Sequence, residues 1–209
     1  MARYLSIHPD DPQPRFVAQA AEVLRAGGVV AIPTDSCYSL GCRLGDKEAM
    51  ERIRHLRELD ERHHLTLMCR DLSQVAQFAR VDNAQYRLLK AATPGSYVFI
   101  LEGTKELPRR VLHPKRKTIG LRIPEHKAAL ALLEELGEPI LTSTLMLPGD
   151  EAPLTEGWEI QDRLDDHLDL ILDGGYCGTE PTTVIDLTSL PPQLVRAGRG
   201  PLDVFGLEE

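Results

Sequence analysis

The sequence predicts an α/β chain of the α+β type, and three observations carry that prediction. Short apolar runs recur along it, among them residues 29–32, 97–101 and 182–187, and runs of that length between turn residues read as buried strands. Segments with apolar residues at helical spacing, such as 16–25 and 126–136, lie between them. The balance of 42% hydrophobic and 27% charged residues is that of a chain that builds a core, not of a disordered one. Strands alternating with helices give an α/β or α+β arrangement and leave the antiparallel share open. The 209 residues suit a single domain spanning 1–209.

In chain order, the first helix covers 16–25 and Gly27-Gly28 stops it. A strand at 29–32 follows, broken by Pro33-Thr34-Asp35-Ser36. Asp46 can cap a helix over 47–59 because its carboxylate can accept an orphan N–H of the first turn. Residues 65–69 read as a strand, and Asp71-Leu72-Ser73 opens a helix to Phe78. Another helix covers 83–92. Strands are expected at 97–101, 118–123, 139–143, 168–172 and 182–187. Helices are expected at 126–136, ending at Gly137, and at 158–164. Residues 147–156, rich in Pro, Gly and acids, are expected to form a mobile loop.

Several chemistries are excluded. There is no G-x-x-x-x-G-K-[ST], no G-x-G-x-x-G after a strand and no G-x-S-x-G. Cys37, Cys42, Cys69 and Cys177 are scattered, with no C-x-x-C pair, so they form neither a disulfide framework nor a zinc set. No metal site is expected. Free thiols point to a reducing cytoplasm. No run approaches about 18 apolar residues, and the first fourteen residues lack an export-signal core, so no membrane partner is expected. Oligomeric state is open.

The formal charge of −8 argues against bulk electrostatic binding of nucleic acid. The distribution argues otherwise. From Lys105 to Arg122 there are seven basic residues and one acid, Glu106. Arg52, Arg54, Arg57, Arg62 and Arg70 lie upstream, with His55, His63 and His64 among them. A local basic surface can hold phosphates although the whole chain is acidic. Lys115, Arg116 and Lys117 are the candidates for RNA or phosphate binding. The most suggestive single segment is Pro33-Thr34-Asp35-Ser36-Cys37-Tyr38-Ser39-Leu40-Gly41-Cys42. It sets hydroxyls, a carboxylate and a Tyr at a strand exit, where ligands are commonly met, although Thr-Asp-Ser is also ordinary turn chemistry.

That segment resembles the P-T-[DE]-T-x-Y-x-L-G of the YrdC/YciO family. Pro94-Gly95-Ser96-Tyr97-Val98-Phe99-Ile100-Leu101 resembles its P-G-P-x-T-x-x-L. Lys117-Thr118-Ile119-Gly120-Leu121-Arg122-Ile123-Pro124 resembles its T-V-x-x-R-x-P. Gly174-Gly175, Thr182-Thr183-Val184-Ile185-Asp186 and Val195-Arg196-Ala197-Gly198 resemble its closing motifs. The likeness covers nearly the whole chain in order, and its details look most like the YciO branch.

The resemblance implies a twisted mixed sheet flanked by helices around a deep basic cavity. It implies ATP, with Mg²⁺, and threonine as ligands. The family chemistry joins threonine and bicarbonate into a carbamate and transfers AMP to it, for modification of tRNA. Double-stranded RNA is also an implied partner. Carried over residue by residue, the threonine contacts fall on Ser36, Arg122 and Thr182, and the nucleotide contacts on Arg57, Thr118, Thr144 and Arg196. An Arg can clamp a carboxylate in a bidentate pair. Catalytic residues remain unassigned.

Four positions depart from the family pattern. A family His falls on Met68. The K-x-R pair reads Arg57-Glu58-Leu59, the S-x-N pair reads Thr144-Leu145-Met146, and an Asn becomes His63. Losing one positioned donor opposite phosphoryl charge is worth about 10²–10³ in rate. The expectation is therefore a nucleotide- and RNA-binding protein with weak or altered threonylcarbamoyl-AMP chemistry. A full synthase and an RNA-binding module without chemistry are the alternatives. Plainer readings stand beside the roles: Arg57 as a solvated helix residue, Arg122 as an interior arginine paired with an acid such as Asp35, Thr144 and Thr182 as strand threonines, and Ser36 as a turn residue.

Overall fold

The computed structural model describes residues 1–60 and 62–208. The chain runs β1 (Arg3–Ser6), α1 (Pro14–Arg25), β2 (Val30–Ile32), β3 (Ser39–Arg43), α2 (Lys47–Arg57), β4 (Thr66–Met68), α3 (Leu72–Phe78), α4 (Asn83–Ala92) and β5 (Tyr97–Glu102). It continues through β6 (Thr118–Arg122), α5 (Lys127–Leu136), β7 (Ile140–Thr144), α6 (Gly157–Leu164), β8 (Leu170–Asp173), β9 (Thr183–Asp186) and β10 (Gln193–Arg196). Single 3-10 turns occupy Arg109–Val111 and Asp203–Phe205.

Helix starts follow local chemistry. The carboxylates of Asp46, Asp71 and Asp82 accept N–H groups of Ala49, Gln74 and Gln85. Gln85 returns the bond to the Asp82 backbone, completing a capping box. Pro14 opens α1, where a missing N–H costs nothing. Gly137 ends α5 at φ 75°, a left-handed conformation that glycine adopts without penalty. Helix α2 stops at Arg57, two residues earlier than the sequence predicts, because Glu58 turns left-handed at φ 52°.

All ten strands form one mixed sheet in the order β1-β8-β2-β3-β7-β4-β6-β5-β9-β10. The β1–β8, β2–β8, β4–β6 and β5–β9 pairs are parallel, and the remaining neighbours are antiparallel. Side chains alternate between its faces. On one face Val30, Ile32, Ile140, Leu170 and Leu172 pack under α1 and α5, against Val17, Ala21, Leu24, Ala128 and Leu132. On the other, Ala31, Leu40, Leu67, Phe99, Leu121, Leu141 and Ile171 pack with Met50, Ile53, Val75, Phe78 and Leu89 of the remaining helices.

Helices α1 and α5 cover only part of their face. By the register, Thr66, Gly120 and Thr142 stand side by side across β4, β6 and β7. They share the face of Met68 and Ile140, beyond the reach of the two helices. This uncovered part of the sheet is where the site lies. Residues 147–156 are not a free loop. Leu147 and Leu154 are buried, the Leu154 N–H donates to Leu145 O at 3.0 Å, and Asp150 pairs with Arg163. Two leucines anchoring a polar segment were outweighed in the sequence by its Pro and Gly content.

Candidate functional site

A cavity of about 730 Å³ opens over the bare sheet face. Its floor mixes small, hydroxyl and apolar groups: Thr66, Gly120, Thr142, Val98, Ile100 and Val184. A Cβ on Gly120 would stand 2.8 Å from Val98 Cγ1, so the absence of a side chain there keeps the floor low. Glu151, Ala152 and Pro153 form part of the wall, which is the work of the anchored 147–156 segment. Four arginines (Arg57, Arg116, Arg122, Arg196) and three histidines (His63, His64, His113) line the cavity against one carboxylate, Glu151. That balance favours an anion over the floor.

Arg122 ends β6 and is 5% exposed. Its Nη2 pairs with Asp35 and its Nη1 donates to Ser36 Oγ at 3.3 Å. Its Nε is buried without a partner. Burial pulls the guanidinium below its ordinary range, and Asp35 opposes that pull. Ser96 Oγ donates to the second oxygen of Asp35 at 3.0 Å, so the carboxylate is held from both sides. The strand-exit loop that carries Asp35 is locked by its own hydroxyls. Thr34 Oγ1 donates to Cys37 O at 2.6 Å and accepts the Ser36 N–H at 3.1 Å. Tyr38, fully buried, donates to Gly175 O at 2.6 Å and accepts the Gly174 N–H at 3.2 Å. Burial, above all, holds this phenol above its usual range, so it stays a neutral donor.

Arg57, at the last turn of α2, donates through Nε to Met146 O at 3.0 Å and through Nη1 to Ser143 Oγ at 2.6 Å. It is half-buried against β7, and burial lowers its pKa. The reading of Arg57 as a solvated helix residue therefore gives way. Arg196 on β10 donates to Thr182 O at 2.8 Å and to Thr182 Oγ1 at 3.0 Å. The Thr182 and Arg196 side chains thus act as one unit on the cavity wall. Gly198 sits behind them. A Cβ there would run into Pro181 O and lie 2.6 Å from Thr182 O, both backbone atoms that cannot rotate away. Gly198→Ala is expected to destabilise the fold by about 3 kcal/mol, at the upper end of overpacking costs. Urea denaturation checks it, and a loss below about 1 kcal/mol would contradict the close approach.

The cavity brings together Arg57, Arg122, Arg196, Thr118, Thr144, Thr182 and Arg116. Ser36 is buried behind Arg122 and bonds it from there. The basic triplet divides. Arg116 reaches the cavity, Lys115 lines a neighbouring groove, and Lys117 folds back to donate to Pro114 O at 2.8 Å. Lys117 takes φ 58°, which turns it out of line with the other two. Leu59 also departs from expectation: it lies past the end of α2 and lines that neighbouring groove, whereas Met146 lines the cavity. Met68 is fully buried among the helix-covered residues. Ser39, Ser143 and Thr142 were not singled out from sequence. They carry no period-2 signal: Thr142, Ser143 and Thr144 are consecutive on β7 and all three line the cavity.

Among the described residues no group of three or more His, Cys, Asp or Glu is placed to hold a metal ion, and no helix is long and apolar enough to cross a membrane. All four cysteines are free and buried.

The family model Sua5/yciO/yrdC, described as "Telomere recombination", matches residues 22–198. YciO of Escherichia coli (strain K12) is 55% identical over 205 residues, 98% of this chain and 100% of its own. Its crystal structure superposes with a TM-score of 0.94 over 98% of this chain and 100% of that one. The threonylcarbamoyl-AMP synthase of Pyrococcus abyssi is 31% identical over 187 residues, covering 88% of this chain and 54% of its own. The crystal structure of Sua5 from P. abyssi complexed with L-threonine aligns at 27% identity with a TM-score of 0.89, over 97% of this chain and 61% of that one. The chain therefore spans little more than half of the synthases it resembles.

Proposed function

Because the chain belongs to the Sua5/YciO/YrdC family, related to threonylcarbamoyl-AMP synthases, we propose that its cavity binds ATP, as the magnesium complex, together with threonine or a closely similar amino acid, and that it carries out adenylyl transfer to the carbamate slowly or in altered form. One observation carries the reading. Arg57, Arg122, Arg196, Thr118, Thr144 and Thr182, distant in sequence, converge on one cavity with a partly apolar floor. The apolar patch of Val98, Ile100 and Val184 suits a purine face or a methyl group. Arg57 and Arg196 suit phosphoryl oxygens, and the unpartnered Nε of Arg122 suits one more acceptor, such as a carboxylate oxygen. Met146 is the reason for slow transfer: a thioether stands on the wall where an amide would donate to developing charge.

The proposal concerns small molecules. Arg116 lines the cavity and Lys115 the adjoining groove, so the basic triplet is divided between the two.

The test is calorimetric titration with ATP and with threonine, then incubation with both plus bicarbonate while pyrophosphate and threonylcarbamoyl-AMP are assayed. Both ligands should bind, with turnover well below that of an intact synthase. Arg57→Ala should weaken ATP about tenfold to a hundredfold, the worth of a charged hydrogen bond. Failure of ATP and threonine to bind would overturn the reading of the cavity, and turnover equal to a synthase would overturn the reading of Met146.

A further inference from the structure

Beside the cavity runs a groove of about 1190 Å³ that the proposed site leaves unused. Its two walls differ. One is α2 and the chain after it, where Lys47, Arg54 and Arg62 stand among Glu51, Glu58 and Asp60. The other is the connection from β5 to β6, which supplies Arg109, Arg110 and Lys115 and no carboxylate. Elsewhere Arg25, Arg43, Arg52, Arg70, Arg80, Arg122 and Arg163 each pair with a carboxylate. Among the described residues the six groove cations (Lys47, Arg54, Arg62, Arg109, Arg110, Lys115) have no such partner, a state they share with scattered surface cations such as Arg87, Lys90 and Lys127. One unpaired surface cation means little, but six around one concavity focus a positive field. Two are also fixed in place. Arg54 Nη1 donates to the carbonyls of Asp60 and His63 at 3.0 and 2.7 Å, and Arg110 Nη2 to that of Gly45 at 2.8 Å.

Groove and cavity meet at His64 and His113, which line both, with ring centroids 5.5 Å apart. His113 Nδ1 accepts the N–H groups of Lys115 and Arg116 at 3.2 and 3.1 Å. In the neutral ring that leaves the proton on Nε2, a donor. His64 Nδ1 is buried with no partner, and burial, with His113 and Arg54 nearby, keeps its imidazole below the usual range.

We propose that the groove is a second anion site, separate from the cavity and joined to it through His64 and His113, that receives pyrophosphate. The assignment of pyrophosphate rests on the adenylyl-transfer reading of the cavity. In that transfer a carbamate oxygen bonds to the α-phosphorus of ATP. The bond from that phosphorus to the oxygen bridging to the β-phosphate breaks, and pyrophosphate leaves with the electron pair. The histidine junction gives this leaving group an exit lined with a donor, and the wall beyond offers three cations unopposed by acid. On the facing wall three carboxylates offset Lys47, Arg54 and Arg62, so the unopposed positive charge lies on the other side. A compact, multiply charged anion can rest against Arg109, Arg110 and Lys115 alone.

The full chain should be titrated with inorganic pyrophosphate and, separately, with AMP. Arg109→Ala with Arg110→Ala should weaken pyrophosphate at least tenfold and leave AMP unchanged, because both side chains are exposed and outside the cavity. Lys115→Glu provides a second variant that removes charge without touching the Gly45 contact. Unchanged pyrophosphate affinity in both variants would overturn the proposal. So would loss of a short RNA duplex in these variants with pyrophosphate binding intact, since that result assigns the groove to RNA. If AMP and ATP fail to bind while pyrophosphate binding still depends on Arg109 and Arg110, the cavity reading falls and the anion site stands.

Discussion

Arg122→Met is expected to cost about 3–5 kcal/mol of folding free energy, the loss seen when one partner of a buried ion pair is removed. Arg122 and Asp35 have side chains only 5% and 9% exposed, so water cannot take over from the missing guanidinium. Ser96 still donates to Asp35, but one neutral hydroxyl does not offset a buried negative charge. Adding Asp35→Asn removes that charge and should recover most of the loss. The double mutant is then far more stable than the sum of the single changes predicts, because the two residues share one interaction. Urea denaturation of the four proteins measures this. A single-mutant loss under about 1 kcal/mol, or strict additivity, would mean that the pair does not hold the strand-exit loop to β6. The same pair bears on ligand binding. An incoming carboxylate meets an Arg122 already engaged by Asp35, so the residue is at once the interior pair and the cavity cation that sequence reading kept as alternatives.

Met146→Asn is expected to raise formation of threonylcarbamoyl-AMP by about 10²-fold, the worth of one positioned donor beside developing charge. Leu59→Arg, by contrast, should leave the rate unchanged. The two substitutions look equivalent as sequence departures, and the structure separates them. Met146 lines the cavity, and its carbonyl already holds Arg57 at 3.0 Å, so an amide there would stand beside an ordered cation. Leu59 follows the left-handed Glu58 and faces the neighbouring groove. Chromatographic assay of the adenylate from ATP, threonine and bicarbonate decides it. A gain from Leu59→Arg with none from Met146→Asn would reverse the assignment.

Most helices were legible because their ends are written in local chemistry. Asp46, Asp71, Asp82 and Gly137 mark boundaries that need no tertiary information. Strands β1, β3 and β10 were not. β3 is Ser39-Leu40-Gly41-Cys42-Arg43, small and mixed in polarity, with no alternation to read. It is a strand because it fills the slot between β2 and β7. A Cβ at Gly41 would meet Ile32 Cδ1 at 2.6 Å and Ile140 Cγ2 at 2.9 Å, so the small residue is set by its neighbours. β10 lies at the sheet edge with three of its four residues exposed, and β1 at the other edge buries none. Edge strands carry little apolar signal because one side has no partner. In the site, the residue types were legible and their directions were not. Thr118 and Arg196 could be named from the family resemblance, but that Ser36 supports Arg122 from behind, or that Lys117 turns away, follows only from how β6 and the chain before it are set.

The place of β9 in the sheet carries a consequence for biosynthesis. β9 is laid in parallel beside β5, and β10 beside β9, although Tyr97 and its register partner Thr183 lie at opposite ends of a long intervening stretch that holds β6, β7 and β8. Thr182, just before β9, Val184 on β9 and Arg196 on β10 line the cavity from this late part of the chain. A nascent chain still on the ribosome can therefore build α1 and α2 with their strands and yet hold no closed pocket until residue 196 has left the exit tunnel. Pairings so distant in sequence are also slow to form, since loop closure precedes their reward. A molecule bound in the cavity cannot act as an early template for folding. It can only hold together a sheet that translation has already finished.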